Sequence, residues 1–373
     1  MRFLFISDDS RGGSSSSQRQ LARRLTERGH EVTLLASTVE SRVVRPLYLR
    51  QVDVSTRLRS SRLRPLLLAG QRPWGTRTHR VDTPDHPTLR AAVIENAFRA
   101  VSRRSRPDVV VAASIDRVSW RRIRAQCRAQ GIATVLYLRE ASGVGHLTVT
   151  GAPPDLLIAN AASLAADARA AGHDCELVPS VVELDKSRVT STREAVVLVN
   201  PIAMLGGDRV WAIAAARPDI PFELRASNII TVAELADIRA RLTAHPNVTL
   251  LSFATTPADI YARARVLLVP HRVDNRPRVI LEAQDNGIPV VASDHPGLVE
   301  SVGAGGIIVP DVDDAAPWVE AVAALWDDPD AYAAAAVAAR DHARRDEVNP
   351  DRIVERFETL VAATVAEVQA ARD

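Results

Sequence analysis

Short apolar runs alternate with helical segments along almost the whole chain, and this alternation constrains the fold more than any other feature. RFLFIS (2–7) and EVTLLA (31–36) have the continuous apolar character of strands that are buried on both faces. Between them lie a glycine- and serine-rich loop at 8–17 and an amphipathic helix that Gly29 ends. Strand, glycine-rich turn, helix and strand form a βαβ unit, which predicts a parallel sheet with the glycines at its carboxyl edge.

Two such runs of strands and helices predict two domains. The chain has 373 residues, which is more than one hydrophobic core comfortably holds. A charged linker without apolar period, LDKSRVTSTRE (184–194), separates the runs. We therefore predict an α/β protein of two doubly wound, Rossmann-like domains, 1–188 and 189–350, facing each other across a cleft. The Arg- and Pro-rich segment 42–90 is predicted to be irregular or to form short helices.

Composition excludes several classes of protein. Hydrophobic residues make up 46% and charged residues 25% of the chain, as in ordinary soluble globular proteins. A net charge of +2 gives no support for nucleic-acid binding. Cys127 and Cys175 have neither metal nor redox spacing, and no apolar run approaches the length of a membrane span. We expect a cytoplasmic protein whose contact with membranes is at most peripheral.

The segment DNRPRVILEAQDNGIPVVASDHPGLVE (274–300) carries the densest chemical signal. Because Arg278 and Glu282 are four residues apart, they share one face of a short helix, and Asp274 lies where that helix begins. An anion can bind the free N–H groups there, beside Arg276 and Arg278. Glu282, one turn deeper, can accept hydrogen bonds from the hydroxyl groups of a ribose. The same spacing also fits a plain helix cap, a surface ion pair and a core strand.

This segment resembles the E-x7-E region of family-four glycosyltransferases, a retaining, nucleotide-sugar-dependent group with the GT-B fold. Asp274 stands where that family usually has its first glutamate, and Glu282 matches the second. RGHEVTLLA (28–36), behind the glycine pair of the first loop, resembles the family as well. The resemblance implies a donor site in the second domain, an acceptor site in the first, and a C-terminal helix, 351–373, that crosses back to the first domain. A plain surface helix fits that last pattern equally well.

In the first domain, the candidates belong to two loops. The loop after the first strand could bring its backbone close to a phosphate or sugar, but it lacks the third glycine of GxGxxG, which disfavours NAD. YLREASGVGH (137–146) follows a later strand, where the family often has a histidine or an acidic residue near the sugar. A flexible turn, a solvated ion pair and a structural histidine remain the alternatives. The candidates are Gly13 for the donor, Gly12, Ser14 and Arg139 for the acceptor or a phosphate, and Glu140 and His146 as catalytic groups.

In the second domain, VNPIAMLGG (199–207) resembles the family's Asn-Pro-x-x-x-Lys-Gly segment, whose lysine meets the donor diphosphate. Leu205 occupies that lysine position. We hypothesise that an arginine supplies the missing charge, since a guanidinium can bind two phosphate oxygens. Asp311-Val312-Asp313 is interpreted as a turn rather than as a metal motif. The donor candidates are Asn200, Arg209, Ser252, Phe253, Arg276, Arg278, Val279, Ile280 and Glu282.

The expected reaction transfers a sugar from a nucleoside-diphosphate donor, of the UDP or GDP type, with retention of configuration. Asp274 would contact the donor sugar, Glu282 would bind the ribose, and the N–H groups at 277–280 with nearby arginines would stabilise the departing diphosphate. Glu282→Ala is expected to leave folding intact and to abolish donor binding. We expect a small-molecule acceptor, such as a natural product, and no cofactor or metal.

Several alternatives stay open. The acceptor could instead be lipid-linked or a polysaccharide. The chain could also be a GT-B relative without glycosyl transfer, such as a nucleotide-sugar epimerase or a pseudo-glycosyltransferase, because the lysine is lost and the first glutamate is an aspartate. A third class is a two-domain binding protein without turnover. Both a monomer and a homodimer are compatible with the sequence.

Overall fold

The computed structural model describes residues 1–7, 13–37, 78–82, 87–91, 93–113, 115–139, 144, 151–226, 230–252, 254 and 256–372. Contacts divide the chain into two compact units. The first unit consists of Met1–Asn160, Leu164–Val178 and Val354–Asp373. The second unit consists of Ala161–Ser163 and Pro179–Ile353.

The first unit is built on an eight-stranded sheet whose central strands are buried on both faces. Its strands are β1 (Arg2–Ser7), β2 (Glu31–Ser37), β3 (Thr78–Asp82), β4 (Pro87–Ala91), β5 (Val109–Ala113), β6 (Ala133–Leu138), β7 (Leu156–Ala159) and β8 (Glu176–Leu177). They lie in the order β3-β4-β2-β1-β5-β6-β7-β8, and β3 alone runs antiparallel to its neighbour. Phe3 of β1 pairs with Val32 of β2 and with Val109 of β5. The helices are α1 (Gly13–Glu27), α2 (Ile94–Ser105), α3 (Arg117–Gln130) and α4 (Ala162–Ala170).

The second unit is built on a six-stranded, all-parallel sheet. Its strands are β9 (Ala195–Val199), β10 (Phe222–Arg225), β11 (Val248–Leu251), β12 (Ala264–Val269), β13 (Val290–Ser293) and β14 (Gly306–Val309), in the order β11-β10-β9-β12-β13-β14. One core layer includes Trp318 and Phe222, and the other includes Tyr261 and Ile280. The helices are α5 (Arg209–Ala216), α6 (Val232–Leu242), α7 (Ala258–Tyr261), α8 (Arg278–Asp285), α9 (Pro296–Val302), α10 (Ala316–Trp326) and α11 (Pro329–Ala343).

The last helix, α12 (Pro350–Ala370), begins in the second unit and continues in the first from Val354 onwards. Glu358 on this helix accepts hydrogen bonds from Arg28 and His30, each at 2.7 Å. Both partners follow α1, so these contacts join the helix to the first βαβ unit. Within the described part of the chain, no helix is both long and apolar enough to span a bilayer.

The predicted α/β class with two doubly wound sheets is confirmed, and several local predictions are wrong. Of the segment 42–90 that was predicted to be irregular, residues 78–82 and 87–90 belong to the strands β3 and β4, and the remainder lies outside the described residues. THRVD and PTLRA (78–82 and 87–91) are only partly apolar, so a search for continuous apolar runs does not find them. The predicted loop 8–17 is too long, since α1 already begins at Gly13.

Candidate functional site

The candidate residues of the second unit gather where its strands end. The loops that follow β9, β12, β13 and β14 all lie at the carboxyl edge of the sheet, because the strands are parallel. In open α/β sheets, ligands bind at that edge. Asp274, Arg276 and Arg278 lie between β12 and the start of α8, and Arg209 begins α5 after β9.

The first turn of α8 offers backbone donors. Pro277 is the N-cap residue with extended backbone rather than the first helical residue, and no side chain caps the helix within the described residues. Proline has no N–H, and the N–H of Ile280 donates to the Pro277 carbonyl at 3.3 Å. The predicted set of donors at 277–280 therefore reduces to the N–H groups of Arg278 and Val279. The side chains of Ile280 and Val279 pack in the core, so Val279 can serve a ligand only through its backbone.

Glu282 lies on the buried face of α8 and is only 5% exposed. One carboxylate oxygen accepts a hydrogen bond from Arg278 Nη2 at 2.8 Å, and the other accepts one from Tyr261 Oη at 2.7 Å. Burial and the neighbouring Glu282 carboxylate raise the pKa of the Tyr261 phenol, which therefore stays a donor. Each carboxylate oxygen can accept more than one hydrogen bond, so this geometry leaves capacity for hydroxyl groups of a ligand.

Asp274 holds the loop before α8 against the start of α9. Its Oδ1 accepts a hydrogen bond from the N–H of Gly297 at 2.7 Å, and its Oδ2 accepts one from Ser163 Oγ at 3.4 Å. A Cβ atom on Gly297 would lie 2.8 Å from Asp274 Oδ1, so glycine permits this approach. Nearby, His271 Nδ1 lies 3.0 Å from Asn275 Oδ1, and burial lowers the pKa of His271.

The loop after β9, which contains the segment 199–207 that resembles the family's lysine segment, packs against the end of β12. Leu205 is buried and carries no charge to the site. Gly206 follows in the left-handed region at φ +67°, and a Cβ atom there would collide with the carbonyl oxygen of Pro270. Asn200, also left-handed at φ +58°, has a buried Oδ1 without a hydrogen-bond partner among the described residues. The segment therefore lies close to the carboxyl edge of the sheet, with a leucine where the family has its lysine.

Arg209 is paired with the aspartates that sequence analysis had interpreted only as turn residues. Its buried guanidinium donates to Asp311 Oδ1 at 2.5 Å and to the Pro270 carbonyl at 3.1 Å. Arg272 donates to Asp313 at 2.5 Å and thereby lowers the pKa of that carboxyl group. Asp208 accepts a second hydrogen bond from Arg272 at 2.8 Å. This charge network was missed because Arg209 and Asp311 are far apart in the sequence and no local spacing connects them.

The remaining candidate residues belong to other strands, helices and loops. Arg139 follows β6, is buried, and places its guanidinium carbon 4.3 Å from the centre of the Tyr137 ring. Ser252 follows β11 and is exposed. Gly13 and Ser14 form the first turn of α1. Four predicted residues lie outside the described part of the chain: Gly12, Glu140, His146 and Phe253.

Sequence reasoning missed Tyr261, which holds Glu282, and Glu300, which pairs with Arg276 at 3.1 Å. Tyr261 ends the short helix α7, where a single tyrosine gives no signal beyond that of a core residue. Glu300 closes the segment that was singled out, but its spacing from Arg276 fits no helix period. Only the three-dimensional arrangement identifies either partner.

The carboxyl edge of the second sheet lies largely within a segment that matches a known protein family. Residues 210–328 match the model of the family Glycosyl transferases group 1, a range that includes the whole of 274–300. The sucrose-phosphate synthase of Thermosynechococcus elongatus is 17% identical and superposes with a TM-score of 0.75, covering 98% of this chain and 100% of that chain. The chain has the GT-B fold. Alr3699/HepE of Anabaena in complex with UDP-glucose is 13% identical, with a TM-score of 0.72 over 97% of this chain and 100% of that one.

Curated relatives match over a shorter stretch. The D-inositol 3-phosphate glycosyltransferase of Thermobispora bispora is 38% identical over 115 residues, which are 30% of this chain and 27% of the relative. The enzyme of the same name from Corynebacterium kroppenstedtii is 38% identical over 90 residues, 24% of this chain and 20% of the relative. The matched stretches thus span about a quarter of the length of these relatives. The predicted resemblance to a glycosyltransferase domain is confirmed for residues 210–328.

Proposed function

We propose that the protein is a retaining glycosyltransferase that moves a sugar from a nucleoside-diphosphate sugar to a small-molecule acceptor. One observation carries the proposal: buried Glu282 lies one turn behind the uncapped first turn of α8, in a segment that matches the family model. A glutamate there suits a ribose, and the N–H groups suit a diphosphate. Support also comes from the HepE structures, which contain UDP and UDP-glucose, and from relatives named for an inositol phosphate acceptor.

The proposed reaction exchanges one bond at the anomeric carbon of the sugar. The bond from this carbon to the diphosphate oxygen breaks, and an acceptor hydroxyl oxygen forms a new bond with the same configuration and loses its proton. The products are a glycoside, a nucleoside diphosphate and a proton. The N–H groups of Arg278 and Val279 would stabilise negative charge on the leaving group, and Asp274 would contact the sugar. No step in this scheme requires a metal ion or another cofactor.

The charge that replaces the missing lysine is proposed to come from Arg209 or Arg278. Both guanidinium groups already pair with carboxylates, Arg209 with Asp311 and Arg278 with Glu282. Replacing Arg209 alone would leave Asp311 without its partner, so a loss of binding would be ambiguous. Asp311→Asn is the sharper variant, because it keeps a hydrogen-bond acceptor and releases positive charge. If Arg209 meets the diphosphate, this variant should bind the nucleotide more tightly than the native protein.

The first experiment measures binding of UDP and GDP by calorimetry, with Glu282→Gln as the variant and Glu234→Gln as control. Glu234 is a partly exposed helix-capping residue of α6, remote from α8 in sequence. We expect one nucleotide to bind the native protein and the control, and to bind Glu282→Gln at least tenfold more weakly. Equal affinity for all three proteins would contradict the assignment of the donor site.

The second experiment tests transfer. The matching nucleotide sugar is incubated with polyhydroxylated small molecules, including inositol phosphates, and the anomeric configuration of the product is read by NMR. A product with the configuration of the donor supports the proposal, and an inverted product contradicts retention. Conversion of the donor sugar into an isomer without any acceptor would instead indicate an epimerase.

A further inference from the structure

Four residues at the amino edge of the second sheet form a group that the proposed reaction does not use. Arg193 precedes β9, Arg265 is the second residue of β12, and Tyr332 and Arg340 lie on α11. We call these four residues the amino-edge cluster. Because the strands are parallel, the amino ends of β9 and β12 lie at the edge opposite to the proposed donor site. The strand β12 has six residues at about 3.3 Å each, so the two edges are roughly 20 Å apart.

Two arginines of the cluster contact backbone and aromatic groups. Arg193 Nη2 donates to the carbonyl oxygen of Asn286 at 2.6 Å. Arg265 Nη2 donates to the carbonyl oxygen of Trp326 at 3.2 Å, and its guanidinium carbon lies 4.1 Å from the centre of the Tyr332 ring. Within the described residues, neither arginine has a carboxylate within 4 Å. Their charges are therefore not neutralised by ion pairs.

Arg340 brings a third guanidinium group to the same place. A Cβ atom on Gly287 would lie 2.5 Å from Arg340 Nε, so this side chain packs directly on the turn that ends α8. Gly287 has φ +64° and follows Asn286, whose carbonyl oxygen binds Arg193. In the part of the chain that the structure describes, the side chain of Arg340 has neither a hydrogen bond nor a carboxylate within 4 Å.

The charges of the cluster act on one another. Burial lowers the pKa of Arg193, and the like charges of Arg340 and Arg265 act in the same direction, against the effect of Tyr332. Burial raises the pKa of the Tyr332 phenol, although all three arginines oppose this shift. Besides burial, the groups that act most strongly on both pKa values thus belong to the cluster itself. The phenol keeps its proton at neutral pH and can donate it to an anion.

Backbone groups offset only part of this positive charge. The carbonyl of Asn286 lies at the end of α8 and that of Trp326 at the end of α10, and a helix end carries roughly half a negative charge. Two helix ends therefore offset about one of the three positive charges, which leaves about two. Cations that repel one another in a partly buried place are stabilised by a bound anion, and most by one that carries two charges.

We propose that the amino-edge cluster binds a phosphate group, either free or as the monoester of a small molecule. A phosphate carries close to two negative charges and offers three acceptor oxygens, which suits several guanidinium groups and a phenol. All four residues are partly exposed, so a phosphate can reach them from solvent. The inference does not rest on the proposed glycosyl transfer, because the cluster lies at the edge away from the donor site.

A purely structural role of the cluster is the alternative that the test must separate. In that role the arginines only hold the ends of α8 and α10, which explains Arg193 and Arg265. It does not explain Arg340, which holds neither helix end through a hydrogen bond among the described residues. Arg340 is therefore the residue to change, since its loss leaves both helix ends with their donors.

The test compares the native protein with Arg340→Gln and with the control Arg239→Gln. Arg239 is an exposed residue of α6, a helix that packs against β11. Inorganic phosphate is titrated by calorimetry at fixed ionic strength, with and without an excess of UDP or GDP. We expect phosphate to bind the native protein and the control, and to bind Arg340→Gln at least tenfold more weakly. The nucleotide should not compete.

Thermal unfolding gives a second measurement on the same proteins. Phosphate should raise the melting temperature of the native protein more than sodium chloride of the same ionic strength does, and it should not do so for Arg340→Gln. Without phosphate, Arg340→Gln should melt no lower than the native protein, because it removes a charge that its neighbours repel. Arg340→Lys, which keeps the charge but not the planar fork, should bind phosphate with intermediate affinity.

Glycerol phosphate distinguishes the two sources of the anion. Binding tighter than that of inorganic phosphate would identify a site for a monoester, and equal or weaker binding a site for free phosphate. Three results would overturn the proposal: no phosphate binding to the native protein, equal affinity for Arg340→Gln and the native protein, or displacement of phosphate by the nucleotide. The last result would place the phosphate in the donor site. Phosphate binding without any nucleotide binding would count against the proposed function alone.

Discussion

Glu282 should support both the stability of the second unit and donor binding, and the two roles can be separated. The expectation that Glu282→Ala leaves folding intact does not fit the structure, because Arg278 and Tyr261 would both lose a buried acceptor. Glu282→Gln is the better perturbation, since its amide oxygen can still accept from Tyr261 Oη. The side chains of Glu282 and Arg278 are only 6% and 14% exposed. Loss of one partner from a buried ion pair costs about 3–5 kcal/mol of folding stability. Because Glu282→Gln retains the hydrogen bond from Tyr261, we expect it to lower the free energy of unfolding by about 2–3 kcal/mol.

The assay is a double-mutant cycle with Glu282→Gln, Arg278→Met and the double variant, measured by urea unfolding. Because the two residues are in direct contact, the double variant should be at least about 1 kcal/mol more stable than the sum of the single effects predicts. Nucleotide binding is measured on the same proteins. A lost hydrogen bond to a charged group is worth about 1.5–3 kcal/mol, so Glu282→Gln should weaken binding roughly ten- to hundredfold. Additive stability effects would refute the ion pair, and unchanged nucleotide affinity would refute the role in ribose binding.

Three further predictions concern the same carboxyl edge. Asp274→Asn keeps an acceptor for the N–H of Gly297, so we expect an intact fold and unchanged nucleotide affinity, with turnover reduced at least about tenfold. Gly206→Ala should lower the melting temperature and abolish nucleotide binding, because its Cβ would collide with the backbone that follows β12. The control Gly29→Ala is also at positive φ but has open space around it, so it should lower the free energy of unfolding by only about 1 kcal/mol. Burial lowers the pKa of His271 below its usual 6.5, so the unfolded chain binds this proton at a higher pH than the folded protein does. The free energy of unfolding should therefore fall as the pH drops through about 6.5, and His271→Gln should make it depend less steeply on pH.

The sequence predicted the second unit well because its signals are local. AVVLV, ARVLLV and VVAS (195–199, 264–269 and 290–293) are apolar without interruption, as strands buried on both faces must be. The pair Arg278–Glu282 follows from helix period alone, and the structure forms it at 2.8 Å. Where a feature depends on neighbours three or four residues away, residue types and spacing were sufficient.

Long-range features could not be predicted in this way. The strands β3 and β4 depend on pairing, of β3 with β4 and of β4 with β2, more than on their own apolar content. Tyr261 contacts Glu282 although the strand β12 lies between them in the chain, and Arg209 contacts Asp311 from 102 residues away. Each of these contacts is set by the packing of elements, and no periodicity in the sequence encodes which side chains meet.

The arginines near the position of the missing lysine show how long-range contacts, which the sequence does not reveal, change the expected chemistry of the site. From the sequence, Arg209, Arg276 and Arg278 look like interchangeable free cations, but each is paired in the structure with its own carboxylate. An arginine that is already neutralised binds a diphosphate only by exchanging or sharing its partner, so it attracts the ligand less than a lone lysine would. The backbone N–H groups of α8 have no such competitor within the described residues, since no side chain caps that helix. Diphosphate binding should therefore depend more on these N–H groups, and less on salt concentration, than in a site built on an unpaired lysine.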